Sequence, residues 1–149
     1  MPNIPGLRSP YDKVGRLVYF GRMLDKIRLH AAGRLPPEFA ANLGEPNNRF
    51  FDGRCCRFLG IRYADLVAHT RQGGTDEELL AWAHAAGTPR SDEECAVWNA
   101  FMTKLGWRDE TSERVRQRAA EYGFAASGAQ TMFDLIELDE DRSPGRLCG

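Results

Sequence analysis

Apolar residues recur every three or four positions along most of the chain, a spacing typical of one face of an α-helix. The first such pattern begins after Ser9, a favourable N-cap residue that is followed by proline at the first helical position. It predicts one long helix to about Ala32, with Gly33 as its left-handed terminator. No segment forms a convincing strand, so the pattern predicts an all-α protein.

Capping motifs define two helix starts with particular clarity. Thr75 and Ser91 are each followed by glutamate three residues later, which makes a capping box. Further caps, glycines and apolar spacing predict one short helical turn within 35–48 and helices at 54–59, 62–71, 76–86, 92–105, 111–122 and 132–138. These elements predict a single domain, 1–149, built as a compact bundle of about six or seven helices, with an acidic, mobile tail over 139–149.

Composition narrows the class of protein. Apolar residues make up 42% of the 149 residues, charged residues make up 28%, and the net charge is -1, as in globular rather than disordered chains. No apolar run approaches the roughly 20 residues of a membrane span, and the first residues lack the pattern of a signal peptide. We therefore expect a cytoplasmic protein without membrane contact, whose four cysteines are free thiols.

The charges are unevenly distributed along the chain. Residues 1–34 are rich in lysine and arginine, whereas 73–110 and 131–149 are rich in aspartate and glutamate. The two halves could attract each other within the fold, or they could pair between two copies in a homodimer. Nucleic acid is an unfavourable partner, because the near-neutral chain has no overall basic footprint and the acidic residues 92–94 would repel phosphates in a helix-turn-helix docking.

Three segments carry a resemblance to a known family. They are PGLRSP at 5–10, GRMLDKIR at 21–28 and WNAFM at 98–102. Over roughly Pro5 to Leu138 the chain resembles a bacterial family known as domain of unknown function 5069. The resemblance implies a small bacterial cytosolic protein, and it carries over no activity and no catalytic residue.

Two charges interrupt the apolar face of the first predicted helix. Projection at about 100° per residue places Asp25 and Arg28 inside the apolar arc as surface neighbours, and it places Arg22 and Lys26 on the opposite, polar side. Charges on a core-facing stripe must be paired. One interpretation is a structural Asp25–Arg28 ion pair that ties the helix to a loop. The other is a pocket wall in which Arg28 binds an anionic group and Asp25 orients it.

The segment 52–57 supplies the second group of candidate residues. With Asp52 as N-cap, Cys55 occupies the third helical position, where the helix dipole and Arg54 would favour its thiolate. The alternative is that Cys55 packs as a small buried hydrophobe. In the pocket interpretation Arg54 and Arg57 converge with Asp25 and Arg28. The predicted ligand-binding residues are therefore Asp25, Arg28, Arg54, Cys55 and Arg57.

No catalytic, metal-binding or cofactor motif stands out, so we expect neither a metal nor a cofactor. The sequence favours a non-catalytic binding or assembly module of the bacterial cytosol, with a homodimer as its simplest form. The alternative is an enzyme or ligand sensor that binds a small anionic or phosphorylated metabolite in a pocket walled by the first helix.

Overall fold

A computed structural model describes residues 3–44 and 50–146. Within these residues the chain forms seven α-helices, one 3₁₀ helix at Pro37–Asn42 and one short antiparallel hairpin. The hairpin consists of β1, Lys13–Val14, and β2, Leu17–Val18. The helices are α1 Phe20–Ala31, α2 Phe51–Leu59, α3 Tyr63–Arg71, α4 Asp76–Ala86, α5 Asp92–Lys104, α6 Ser112–Glu121 and α7 Met132–Asp139. The prediction of an all-α fold is confirmed.

The long N-terminal helix and the absence of strands were wrong predictions. The hairpin pairs Val14 with Leu17 through a two-residue turn that begins at Gly15, whose φ of 55° suits glycine. Helix α1 begins only at Phe20, after Tyr19 at φ 75°. Apolar residues at 14, 17 and 18 have the spacing of a helical face, and they are buried in the hairpin as well, so the pattern alone did not separate the two structures.

Side chains of α5 complete the hydrogen bonding of the hairpin. Asn99 Oδ1 accepts a hydrogen bond from the Val18 amide at 3.0 Å, and Asn99 Nδ2 donates to the Arg16 carbonyl at 2.7 Å. Trp98 Nε1 donates to the Val18 carbonyl at 3.2 Å. These contacts satisfy backbone groups that would otherwise be left without partners at a sheet edge.

Local capping chemistry predicted the later helices well. The capping boxes at Thr75 and Ser91 form as expected, and a third box forms at Thr131. One prediction in this group was wrong, since α2 begins at Phe51 and Asp52 is its second residue instead of its N-cap. The predicted turn within 35–48 corresponds to the 3₁₀ helix, although 45–49 lie outside the described residues.

Helix α1 lies at the centre of the molecule. Each of its residues from Phe20 to Ile27 is buried, and four of its apolar side chains join the main core: Phe20, Met23, Leu24 and Ile27. A helix buried on all sides has no face for solvated charges. The polar side of α1 must therefore find partners inside the protein, and these partners create the candidate site.

The C-terminal segment covers part of this polar side. The sequence predicts a mobile tail from 139 onward, whereas Glu140 is only 1% exposed and Arg142 donates a hydrogen bond to the Leu7 carbonyl at 2.5 Å. Arg146 forms an ion pair with Asp12 at 2.7 Å. Residues 147–149 lie outside the described residues. No helix in the described part of the chain has the length and apolarity to cross a membrane.

Candidate functional site

A cleft of about 870 Å³ is the strongest candidate site. It lies between α1, α2, α6 and α7, and aromatic side chains such as Phe39, Phe51 and Tyr122 contribute to its lining. The basic lining residues are Arg22, Lys26, Arg54, Arg114 and Arg118, and the acidic lining residues are Asp139 and Glu140. Because the whole chain has a net charge of -1, this local excess of positive side chains is a specific property of the cleft.

Lys26 belongs to the first of two buried polar groups on the cleft. Its Nζ lies 2.7 Å from Asp52 Oδ1 and donates a hydrogen bond to the Tyr19 hydroxyl at 2.9 Å. The Tyr19 hydroxyl donates to the same Asp52 oxygen at 2.7 Å, and the Gly44 amide donates to the other oxygen at 3.1 Å. Burial raises the pKa of Tyr19 and lowers the pKa of Lys26. Asp52 is fully buried, and its carboxylate opposes the effect of burial by stabilising the charged form of Lys26.

Arg22 belongs to the second buried polar group. Its guanidinium binds Glu140 through two parallel hydrogen bonds, at 2.8 Å and 2.5 Å. Arg142 donates to the same carboxylate at 2.8 Å. Burial alone would raise the pKa of Glu140, but the two guanidinium groups hold it below its usual value. This contact fixes the end of α7 against α1 and closes one wall of the cleft.

Three arginines on the cleft have no carboxylate partner among the described residues: Arg54, Arg114 and Arg118. Arg54 Nη1 is buried without a hydrogen-bond partner in that part of the chain, and its guanidinium lies 5.1 Å from the ring centroid of Phe101. Burial and the neighbouring Arg57 lower the pKa of Arg54. Arg114 and Arg118 lie one turn apart on α6, where like charges repel. All three could donate to an anion in the cleft.

The predicted pair Asp25 and Arg28 lies in a separate group of four charges, which we call the anchor cluster: Arg8, Asp25, Arg28 and Asp76. Arg8 donates to both carboxylate oxygens of Asp25, at 2.7 Å and 2.9 Å. Asp76 lies 2.8 Å from Arg8 and 2.7 Å from Arg28, whereas Asp25 and Arg28 are 3.7 Å apart. The anchor cluster joins the N-terminal segment, α1 and α4. Neither Asp25 nor Arg28 lines the cleft, and a role for them in ligand binding stays a prediction.

The predicted residues of 52–57 separate in the structure. Arg54 lines the cleft, whereas Cys55 and Arg57 do not. Cys55 is fully buried in the main core, and burial raises the pKa of its thiol, which is the opposite of the shift expected for a reactive thiolate. Because α2 begins at Phe51, Cys55 is its fifth residue and lies beyond the free amides of the first turn. Cys55, Cys56 and Cys95 are buried thiols that form no disulfide within the described residues, and Cys148 lies outside them.

Sequence reasoning missed Arg22 and Lys26. Helical projection placed both on the polar side of α1, and a polar side normally faces solvent. They are buried because Asp52 and Glu140, which lie far away in the sequence, pack against that side. The spacing of Arg22 and Lys26 on the polar side of α1 is the same as that of two solvated charges, so it gave no signal of their burial.

A protein-family model described as Domain of unknown function (DUF5069) matches residues 4–142 of the chain. The chain belongs to this family. The DUF5069 match includes every lining residue of the cleft, from Tyr19 to Glu140, and it extends to Arg142. It confirms the resemblance identified from three sequence segments. A comparison with curated proteins finds no match for the chain. The description of the DUF5069 family names no activity.

Proposed function

We propose that this protein binds a small anionic ligand, a phosphorylated or carboxylate metabolite, in the cleft between α1, α2, α6 and α7. The observation that carries the proposal is the buried Arg54 Nη1, which lies on the cleft without a hydrogen-bond partner in the described chain. The exposed Arg114 and the half-buried Arg118 add positive charge to the same lining. Guanidinium groups bind phosphate and carboxylate oxygens through two parallel hydrogen bonds. A shared anion explains why these charges are placed together.

Arg54 has an energetic cost that an anion would remove. A buried donor without an acceptor, such as Arg54 Nη1, costs about 1–3 kcal/mol. Arg114 and Arg118 add a repulsion of about 0.2–0.5 kcal/mol on α6. A bound oxyanion would accept hydrogen bonds from these groups and screen their mutual repulsion. The ligand would then stabilise the folded state by mass action.

The remaining lining indicates the shape of the ligand. Phe39, Phe51 and Tyr122 supply apolar and aromatic surface beside the arginines. The volume of about 870 Å³ is in the range of small-molecule sites, but the cleft is broadly open to solvent and its lining is about as polar as it is apolar. These features support a metabolite with an anionic group at one end and an apolar or ring-shaped body.

The charge pattern that suggested a homodimer has a different explanation within one chain. Basic residues near the N-terminus pair with acidic residues of later segments, as Arg8 does with Asp76 and Arg22 with Glu140. Self-association stays a separate prediction, which light scattering at micromolar concentration would check. We propose a bacterial cytosolic location for the ligand-binding protein, and the thiols of Cys55 and Cys95, which form no disulfide within the described residues, support it.

Titration calorimetry and thermal shift with inorganic phosphate, adenosine monophosphate and citrate test the proposal. At least one of these probes should raise the melting temperature, and the rise should grow with the logarithm of the probe concentration once that concentration exceeds the dissociation constant. The double variant Arg114→Ala/Arg118→Ala should weaken that binding about 10–100-fold, because charge-assisted hydrogen bonds are lost. Arg116→Ala is the matched control, since Arg116 is on the same helix and pairs with Glu113. Equal binding by the double variant and the control would contradict the proposal.

A further inference from the structure

The buried group around Lys26 has chemistry that simple anion binding does not use. Lys26 is 4% exposed, yet it lines the cleft, and neither Lys13 nor Lys104 does. These three residues are all the lysines of the chain. Two of the three ammonium protons contact Asp52 and Tyr19, and no further acceptor for Lys26 is found among the described residues. The cleft lining therefore includes one lysine amine and one phenol, both in contact with the buried carboxylate of Asp52.

We propose that Lys26 forms an imine with the carbonyl group of an anionic carbonyl compound, either an oxo acid or a phosphorylated aldehyde or ketone. The inference rests on the proposed function, because the cleft arginines would hold the anionic group while the carbonyl carbon meets Lys26 Nζ. Imine formation requires a neutral amine with a proton acceptor beside it. Asp52 Oδ1, at 2.7 Å, is that acceptor, and burial of Lys26 disfavours its charged form.

The proton transfers of the reaction balance within this group. The Lys26 ammonium gives a proton to Asp52, and the neutral amine attacks the carbonyl carbon to form the carbon–nitrogen bond. The carbonyl oxygen takes a proton from that nitrogen, which yields the carbinolamine. Asp52 then returns its proton to the hydroxyl group, which leaves as water, while the nitrogen lone pair forms the protonated imine. No oxidant or reductant is needed.

The geometry around Lys26 goes beyond what an ion pair between two helices needs. A buried ion pair is often no more stabilising than apolar residues of the same size, so its place on a ligand cleft needs another reason. Tyr19 adopts φ 75°, which is unfavourable for a bulky residue, and its hydroxyl contacts both Lys26 and Asp52. Strained residues of this kind cluster at functional sites. The Gly44 amide holds the second Asp52 oxygen, and the first one accepts from both the Lys26 amine and the Tyr19 hydroxyl.

Borohydride trapping with peptide mapping tests the imine. The intact protein is incubated with pyridoxal phosphate, which carries an aldehyde and a phosphate, and it is then reduced and digested for mass spectrometry. We expect the reduced adduct on Lys26 to exceed that on Lys13 and on Lys104 by about tenfold, although both are more exposed. Excess inorganic phosphate should suppress the Lys26 adduct and leave the other two unchanged. Modification that follows exposure alone would overturn the proposal.

Two further arms separate this inference from the proposed function. Pyridoxal, which lacks the phosphate, should label Lys26 less than pyridoxal phosphate does, and Arg114→Ala/Arg118→Ala should remove that difference. Phosphate binding without a Lys26 adduct would leave the proposed function standing and overturn the imine. A Lys26 adduct that is indifferent to phosphate and to the arginines would show a reactive amine in a cleft that does not bind the anionic group, and it would overturn both the proposed function and the choice of an anionic carbonyl compound. Lys26→Arg removes the adduct site. If that variant does not fold, the comparison of adducts on Lys26, Lys13 and Lys104 in the wild-type protein still tests the imine.

Discussion

Two charged regions of the molecule use the same helix in different ways. The anchor cluster contains two arginines and two aspartates, and each carboxylate is held by guanidinium groups at 2.7–2.9 Å. The cleft is also built on α1, but five basic side chains line it against two acidic ones. A balanced group of charges needs no further partner and serves the fold. A group with surplus positive charge leaves hydrogen-bond donors for a ligand.

The largest effect on stability is expected for the buried Arg22–Glu140 ion pair, which forms one wall of the cleft. Glu140→Ala would leave Arg22, which is 4% exposed, without its carboxylate. Removing one partner of a buried ion pair destabilises a protein by about 3–5 kcal/mol. Urea unfolding followed by circular dichroism would measure the loss, with Glu121→Ala as the exposed control. A loss below about 1 kcal/mol, typical of an exposed pair, would show that the pair is not buried in solution.

A smaller loss of stability is expected when one carboxylate of the anchor cluster is removed. Asp25→Ala removes the acceptor of three hydrogen bonds from Arg8, but Arg8 and Arg28 are partly exposed and keep Asp76. We expect a loss of about 1.5–3 kcal/mol in the free energy of unfolding, the range for hydrogen bonds to a charged group.

The same variant sharpens the comparison between the two regions. Asp25→Ala should bind the anionic probes as the wild-type protein does, because Asp25 does not line the cleft. Asp12→Ala, which removes an exposed pair with Arg146, is the matched control for stability. Weakened probe binding by a folded Asp25→Ala protein would show that the anchor cluster takes part in ligand binding, as the sequence interpretation allowed.

Acid should weaken both regions in the same direction. Burial raises the pKa of Glu140 and of Asp76, but their arginine partners outweigh it and hold each pKa below the usual values of 4.5 and 3.8. The unfolded chain then binds more protons than the folded chain. The stabilisation from Glu140 and Asp76 is therefore complete above the ordinary pKa values and is lost as the pH falls through the lower pKa values of the folded protein. Glu137 acts in the opposite sense, because burial raises its pKa above 4.5.

Urea unfolding at a series of pH values from about pH 5 downward would test this dependence. The free energy of unfolding should fall more steeply with acid in the wild-type protein than in Glu140→Gln, which has no carboxyl to protonate at this position. The acid loss should also be smaller than the loss in Glu140→Ala, because a protonated Glu140 still packs and accepts hydrogen bonds. Identical slopes in the wild-type protein and Glu140→Gln would mean that Glu140 titrates with an ordinary pKa.

The fold was predictable where a few neighbouring residues decide the structure. The capping boxes at Thr75 and Ser91 need only a hydroxyl and a glutamate three residues apart, and both form as expected. The hairpin was not predictable in this way. Val14, Leu17 and Val18 fit a helical face by spacing, and the hydrogen bonds that hold the hairpin come from Asn99 and Trp98, about 80 positions later.

The candidate site was predictable only in part for the same reason. Arg54 was selected from sequence and lines the cleft. Arg22 and Lys26 were assigned to solvent, because a helical projection shows which side of α1 is polar but not what covers it. Their partners Glu140 and Asp52 lie 118 and 26 positions away. The sequence pattern of a helix does not distinguish a charged residue that faces water from one that is buried against a carboxylate.

The smallest effect on stability concerns the arginines that give the cleft its surplus charge. Without ligand, Arg114→Ala/Arg118→Ala should leave the free energy of unfolding unchanged or raise it by about 0.2–0.5 kcal/mol, because a like-charge pair one turn apart is removed. Arg116→Ala, which breaks a favourable pair with Glu113, should lower it by a similar amount. Urea midpoints of the two variants would therefore move in opposite directions. A clear loss of stability in the double variant would mean that Arg114 and Arg118 have carboxylate partners in the folded chain, and the contrast between a balanced anchor cluster and an unbalanced cleft would fail.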